Sequence, residues 1–161
     1  MRKTIYILTI FTFIACQTNK KLLASFDKES KNLVDSLDKF KYVDQAYIGY
    51  SGDESDLFNF FNNFQEKLDI EKLVILTRHK NPTVRVYAFW ALCRKKYPGF
   101  RKILDDHIKD KKTFMFNQGC VGMEEKVNEF YLMLVDPKAT VYDDCIKLSE
   151  DELKVYKLKI K

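Results

Sequence analysis

The chain has 161 residues, of which 46% are hydrophobic and 32% charged, which suits a single domain with one hydrophobic core. Its net charge of +5 is mild, and basic residues alternate with acidic ones through residues 102–112. A protein that binds phosphate backbones needs a one-sided basic stripe instead, so the composition argues against nucleic-acid binding.

The chain begins with the pattern of an export signal. Two basic residues precede an apolar run, residues 4–15, which is shorter than the about 20 residues of a membrane-spanning helix. The run ends in Phe13-Ile14-Ala15-Cys16, which resembles the lipobox of bacterial lipoproteins. In that family the cysteine is lipidated and becomes the first residue of the mature protein. The resemblance implies a signal peptide over residues 1–15 and a lipid on Cys16.

Two other interpretations of Cys16 stay open, namely a thiol after an ordinary signal peptide and part of an uncleaved anchor. Gln17 is not the aspartate that, in some Gram-negative bacteria, keeps lipoproteins in the inner membrane. The resemblance therefore favours the outer membrane, on either its periplasmic or its surface side. Acyl chains on Cys16 would hold the protein at that membrane. We expect a lipidated tether over residues 16–30 and one domain over residues 31–161.

Apolar residues at three- and four-residue spacing predict a succession of helices along the domain. Residues 47–56, which contain Gly49 and Gly52, are predicted to form a loop. Short extended segments are predicted near residues 112–118 and 142–148. The predicted helices are residues 33–40, 57–68, 70–76, 82–97, 100–108, 123–134 and 150–156.

The helix that begins at Pro82 is predicted to be the centre of the fold. Asn81 is a favourable N-cap, and proline is tolerated in the first helical turn because its missing N–H has no partner there. From residue 84 to residue 93 every side chain except that of Arg85 is apolar. Such a helix is hydrophobic on nearly its whole circumference, so we expect neighbours to pack on most of its sides.

This helix and the short helix before it, over residues 70–97, resemble a HEAT repeat, a helix hairpin of about 40 residues. The resemblance implies an all-α fold, a short right-handed stack of antiparallel helix hairpins in the form of an α-solenoid. In the family, the arginine commonly reaches a nearby carboxylate, for which Asp69 and Asp110 are the candidates here. The residues that carry the resemblance are Pro82, Val84, Arg85, Ala88 and Leu92.

Residues typical of catalysis or metal binding do not form a recognisable pattern. His79 is expected to cap a turn or to be solvated, and His107 to be a half-buried residue on the apolar face of its helix. There is no nucleophile elbow, phosphate-binding glycine loop or His-Glu-x-x-His motif. Neighbouring acids such as Asp105 and Asp106 point in different directions on a helix. We therefore expect no catalytic residue, no cofactor and no metal site.

Three cysteines follow Cys16 in the sequence. Cys93 lies within the apolar helix and is expected to be a small core residue. Cys120 and Cys145 both lie in segments predicted to be non-helical. Two alternatives stay open for them, a disulfide in an oxidising compartment or two independent buried thiols.

Three functional hypotheses follow from these patterns. The first is a membrane-anchored, non-catalytic envelope lipoprotein whose helical-repeat domain binds a protein or peptide. The second is a structural or assembly accessory of an envelope complex. The third is an envelope hydrolase, which would require a cleft converging on His107 or on two facing carboxylates.

Overall fold

The computed structural model describes residues 21–160, which form helices on a mixed sheet of four strands. A turn of 3-10 helix spans Thr140–Tyr142. The strands are β1 (Tyr42–Ile48), β2 (Asp53–Glu54), β3 (Thr113–Gly119) and β4 (Val121–Lys126). The helices are α1 (Lys28–Leu37), α2 (Asp56–Lys67), α3 (Ile70–Leu76), α4 (Pro82–Arg94), α5 (Phe100–Asp106), α6 (Val127–Val135) and α7 (Glu150–Lys159).

The strand order across the sheet is β2-β1-β3-β4. β1 pairs antiparallel with the short β2 and parallel with β3, so the chain between β1 and β3 carries four helices. β3 and β4 form an antiparallel hairpin in which Phe116 lies opposite Met123. The connection has two residues, Gly119 and Cys120, and Gly119 has a φ of 53°. Glycine adopts this left-handed conformation without the penalty that a Cβ imposes.

The predicted all-α stack of helix hairpins is wrong, because the protein has a mixed α/β fold. For β1 the sequence predicts no regular element, with a loop from residue 47 onward. For β4 it predicts a helix from residue 123 onward. Of the two predicted extended segments, β3 occupies 113–119, whereas 142–148 contains the end of the 3-10 turn and irregular chain. The helix predicted over residues 123–134 begins only at Val127, because the residues before it pair with β3.

Helix α4 has the predicted start and the predicted burial. The side chain of Asn81 accepts a hydrogen bond from the Thr83 amide at 2.9 Å, and Pro82 follows in the first turn. Every residue from Thr83 to Cys93 is buried. The Trp90 ring contacts aromatic rings from α2, from α6 and from the 3-10 turn, namely Phe58, Phe61, Phe130 and Tyr142.

Part of the circumference of α4 faces the sheet and not another helix. The hydroxyl of Tyr87, in the middle of α4, accepts a hydrogen bond from the Asp44 amide of β1 at 2.9 Å. β2 pairs with β1 only at Tyr47 and Ile48, so among the described residues no strand lies beside Asp44 on this edge of β1. Tyr87 therefore satisfies a buried amide that the sheet leaves unpaired, and it fixes α4 to β1.

Candidate functional site

Arg85 is buried at the start of α4, with 4% of its surface exposed, and it pairs with Asp110. Its Nη2 donates to Asp110 Oδ1 at 3.2 Å. Its Nε lies 2.9 Å from Asp110 Oδ2 without the alignment of a hydrogen bond, so that contact is ionic. Nη1 donates to the carbonyls of His79 and Lys80. Of the two candidate acids, Asp69 instead caps α3 by accepting from the Lys72 amide.

The two histidines lie beside this ion pair. His107 Nδ1 is 3.3 Å from Asp110 Oδ2, and its ring contacts Tyr131 edge-on. Burial raises the pKa of Asp110, but the hydrogen bond with His107 and the charge of Arg85 outweigh it and hold that pKa below its usual value. His79 is buried, and its Nδ1 accepts from the Asn81 amide at 3.2 Å. These contacts join the start of α4 to the segment after α5.

The structure places the cysteines in different environments. Cys16 lies outside the described residues. Cys93 is in the core, as predicted, and Cys145 is buried beside it. Cys120 is exposed in the turn between β3 and β4, and all three are free thiols. A disulfide between Cys120 and Cys145 stays a prediction.

A groove of about 730 Å³ runs between α1, β1 and the start of α2. The residues that line it include the aromatic Phe40 and Phe60 and the buried Asp44. Asp44 accepts from Ser55 Oγ at 2.6 Å and from Asn117 Nδ2 at 2.7 Å. Ser55 Oγ in turn accepts from the Phe58 amide and caps α2. Both oxygens of Asp44 are thus used in holding β1, β3 and α2 together.

A smaller pocket of about 180 Å³ opens between β1 and the 3-10 turn. Phe58, Trp90 and Tyr142 form its aromatic wall, and Gln45 Nε2 donates to the Tyr142 hydroxyl at 3.4 Å. Neither histidine lines this pocket or the larger groove. Neither cleft therefore converges on His107, which is one of the two arrangements named for the hydrolase hypothesis.

Strand β4 forms one edge of the sheet, and within residues 21–160 no strand pairs with its outer side. The Val127 amide donates to the Lys112 carbonyl, and this pair of residues continues the pairing of β3 with β4. In an antiparallel pair of strands, residue pairs that are joined by hydrogen bonds alternate with pairs that are not. The backbone groups of Val121, Met123 and Glu125 consequently face β3. Those of Gly122, Glu124 and Lys126 face outward, as a row of unpaired donors and acceptors.

Exposed apolar side chains lie near this edge on both faces of the sheet, beside the charged ones. Val121 and Met123 lie on the face that packs against the helices, yet they are 52% and 36% exposed. Met115, which is also exposed, lies opposite Glu124 on the other face. A second strand placed along β4 would therefore find apolar contacts above and below it.

The charges along this edge are mainly acidic. Glu124, Glu125 and Glu129 all lie near Lys126, whose Nζ donates to Glu129 Oε1 at 2.8 Å. Burial and the neighbouring Glu129 raise the pKa of Glu125. We use the name β4 edge for the outward backbone groups of Gly122, Glu124 and Lys126 together with the side chains of Met115, Glu124, Glu125 and Glu129.

Sequence reasoning missed the β4 edge because the segment has weak strand propensity. Gly122 and two glutamates are residues that strands disfavour. The one available signal is Gly119, which lies between two short runs of mixed apolar and polar residues. A two-residue connection that starts with glycine is a hairpin signal when apolar residues alternate on both sides of it.

Comparisons with protein-family models, with curated proteins and with solved structures found no match to this chain. Within the described part of the chain, no helix has the length and apolar character needed to cross a membrane. Among residues 21–160, no group of three or more His, Cys, Asp or Glu side chains is arranged to hold a metal ion.

Proposed function

We propose that this protein is a lipid-anchored protein of the bacterial cell envelope that binds an extended segment of a partner protein along the β4 edge. The unpaired outer side of β4 is the observation that carries the proposal. The lipid on Cys16 would hold the domain at the outer membrane, where the partner is presented. The domain acts as a binding module built on a sheet, not as a helical-repeat scaffold.

The backbone of β4 supports this mode of binding. Extended peptides commonly bind to exposed sheet edges, where main-chain hydrogen bonds provide affinity and alternate side chains provide specificity. Three consecutive outward positions, Gly122, Glu124 and Lys126, offer both donors and acceptors. Met115 on one face, and Val121 with Met123 on the other, offer contacts for the partner's side chains.

Charge favours a basic partner segment over a second copy of this chain. A Lys or Arg side chain opposite Glu124 would form a favourable cross-strand pair. In a symmetric dimer centred on Glu124, the same carboxylate would face its own copy, which is unfavourable. Binding should therefore weaken as salt screens the exposed charges.

Photo-crosslinking in cells tests the binding site. The crosslinking residue p-benzoylphenylalanine replaces Glu124 in one variant and Leu158 in a control variant. Leu158 lies on α7 and is 70% exposed, so it is also open to chance encounters. We expect one defined protein adduct from position 124 that position 158 does not give. No adduct at 124, or the same adducts at both positions, would overturn the proposed site.

Metabolic labelling with a clickable fatty acid tests the anchor separately. We expect the wild-type chain to be labelled and to sediment with membranes, and a Cys16→Ser variant to lose both properties. An unlabelled wild-type chain in the soluble fraction would overturn the lipid anchor. The crosslinking result at position 124 would still decide the binding site.

A further inference from the structure

The Cys93 and Cys145 side chains meet in the core, although 51 residues separate them in the sequence. Cys93 is in the last turn of α4, and Cys145 lies between the 3-10 turn and α7. The Ile146 amide donates to the Cys93 carbonyl at 2.9 Å, which holds the two backbones side by side. Cys93 and Cys145 are 0% and 2% exposed, and their side chains are close enough to interact with each other.

We propose that Cys93 and Cys145 form a disulfide when the chain folds in the presence of an oxidised disulfide reagent or a disulfide-exchange protein. One cysteine thiolate attacks the reagent's disulfide, forms a mixed disulfide and releases one thiol. The second cysteine then displaces the other thiol of the reagent. The two cysteines lose two electrons and two protons in total, and the reagent is reduced to two thiols.

The local geometry favours this pair over Cys120 with Cys145. A disulfide requires Cα atoms about 4.4–6.8 Å apart, and the Ile146–Cys93 hydrogen bond already brings the two chains together. Cys120 is exposed in the β3–β4 turn. A bond from Cys120 would have to draw Cys145 away from Cys93 and out of the core.

The environment of the thiols indicates when the bond forms. Burial raises the pKa of Cys93, so the reactive thiolate is scarce once the chain has folded. Oxidation is therefore expected as the C-terminal segment docks on α4, before both sulfurs are enclosed. The bond would add to the ion pair between Arg94 and Asp144, which joins the same two segments. Formation in cells also requires the oxidising compartment of the proposed export.

Refolding the full-length chain under defined redox conditions tests the pairing. A Cys16→Ser background removes the fourth thiol, and the reduced, urea-unfolded protein is refolded with oxidised and reduced glutathione. Peptide mapping without reduction should recover a Cys93–Cys145 linked peptide and a Cys120 that remains open to alkylation. We expect Tm to rise by roughly 5–15 °C on oxidation and to fall again with dithiothreitol.

Matched variants keep the test decisive. Cys120→Ser should leave the linked peptide and the Tm shift unchanged, whereas Cys145→Ala should remove both. Linkage of Cys120 to either other cysteine, or three free thiols after refolding in oxidised glutathione, would overturn the proposal. Peptide mapping of the Cys16→Ser chain gives this answer even if Cys145→Ala fails to fold. The β4 edge contains neither cysteine, so the crosslinking test is independent.

Discussion

Arg85 and Asp110 form an ion pair inside the protein that joins the start of α4 to the segment between α5 and β3. Two of the three guanidinium nitrogens face the carboxylate, and the third donates to two backbone carbonyls. Arg85 thus has a partner at each nitrogen although it is almost fully removed from water. A buried charge in this position is tolerated because its partners replace the lost hydration.

Removing one member of this pair should destabilise the protein strongly. For Arg85→Met we expect the free energy of unfolding, measured by urea denaturation, to fall by about 3–5 kcal/mol, because Asp110 and two carbonyls lose their partner. Lys102→Met removes an exposed ion pair with Asp106 and serves as the control, with little change expected. An Arg85→Met effect no larger than that of the control would contradict this account of the start of α4.

The contact between α4 and the sheet should depend on one hydroxyl. Tyr87→Phe leaves the buried Asp44 amide without an acceptor, so we expect the free energy of unfolding to fall by about 1–3 kcal/mol. Tyr131→Phe is the matched comparison, because its hydroxyl donates to the Arg85 carbonyl, which keeps its place in the helix ladder. Tyr87→Phe should be the more damaging variant in urea denaturation. The reverse order would show that the Asp44 amide has another acceptor.

His79 should make the free energy of unfolding decrease as the solution becomes mildly acidic. Burial, outweighing the nearby Asp38 and aided by Lys80 and Arg85, lowers the pKa of His79 from 6.5 to about 4. Between these two values the unfolded chain binds a proton that the folded chain does not. Stability should therefore fall as the pH drops from about 6.5 to about 4, by on the order of 3 kcal/mol.

His79→Asn provides the control for this pH dependence. The asparagine oxygen can replace Nδ1 as the acceptor for the Asn81 amide but does not titrate. Urea midpoints measured across this pH range should fall less steeply in the variant, and the slope that remains near pH 4 belongs to carboxylates such as Asp110 and Glu152, whose pKa values are held below their usual values. An unchanged slope would assign the pH dependence to other groups.

The central helix could be predicted because its signals are local. The Asn81-Pro82 start and the apolar run after Arg85 are adjacent in the sequence, and the structure confirms both the helix and its burial. Asp110, one of the two candidate partners for Arg85, is the one that the structure shows. A helix whose sequence is apolar on all sides is predicted to be buried, but this pattern does not reveal whether its neighbours are helices or strands.

The sheet could not be predicted because its pairing is not local. β1 and β3 pair in parallel although Val43 and its partner Phe116 are more than 70 residues apart, and no short pattern records such a contact. In β1, Val43 and Asp44 are both buried, so the usual alternation of apolar and polar residues is absent. Met123 shares the helical spacing of α6, which explains why that helix was predicted to begin too early.

The β4 edge can be tested most directly by changing one outward amide. Glu124→Pro removes the N–H of residue 124, which faces away from β3, and leaves the hydrogen bonds between β3 and β4 in place. Glu124→Thr keeps this N–H and removes only the charge. Urea denaturation of both variants confirms that each is folded.

The measurement is the amount of the crosslinked partner that co-purifies with each folded variant from detergent-solubilised membranes. We expect Glu124→Pro to lower recovery at least about tenfold, and Glu124→Thr to lower it less and to reduce its dependence on salt. A folded Glu124→Pro variant that recovers as much partner as the wild type would contradict binding along the β4 edge.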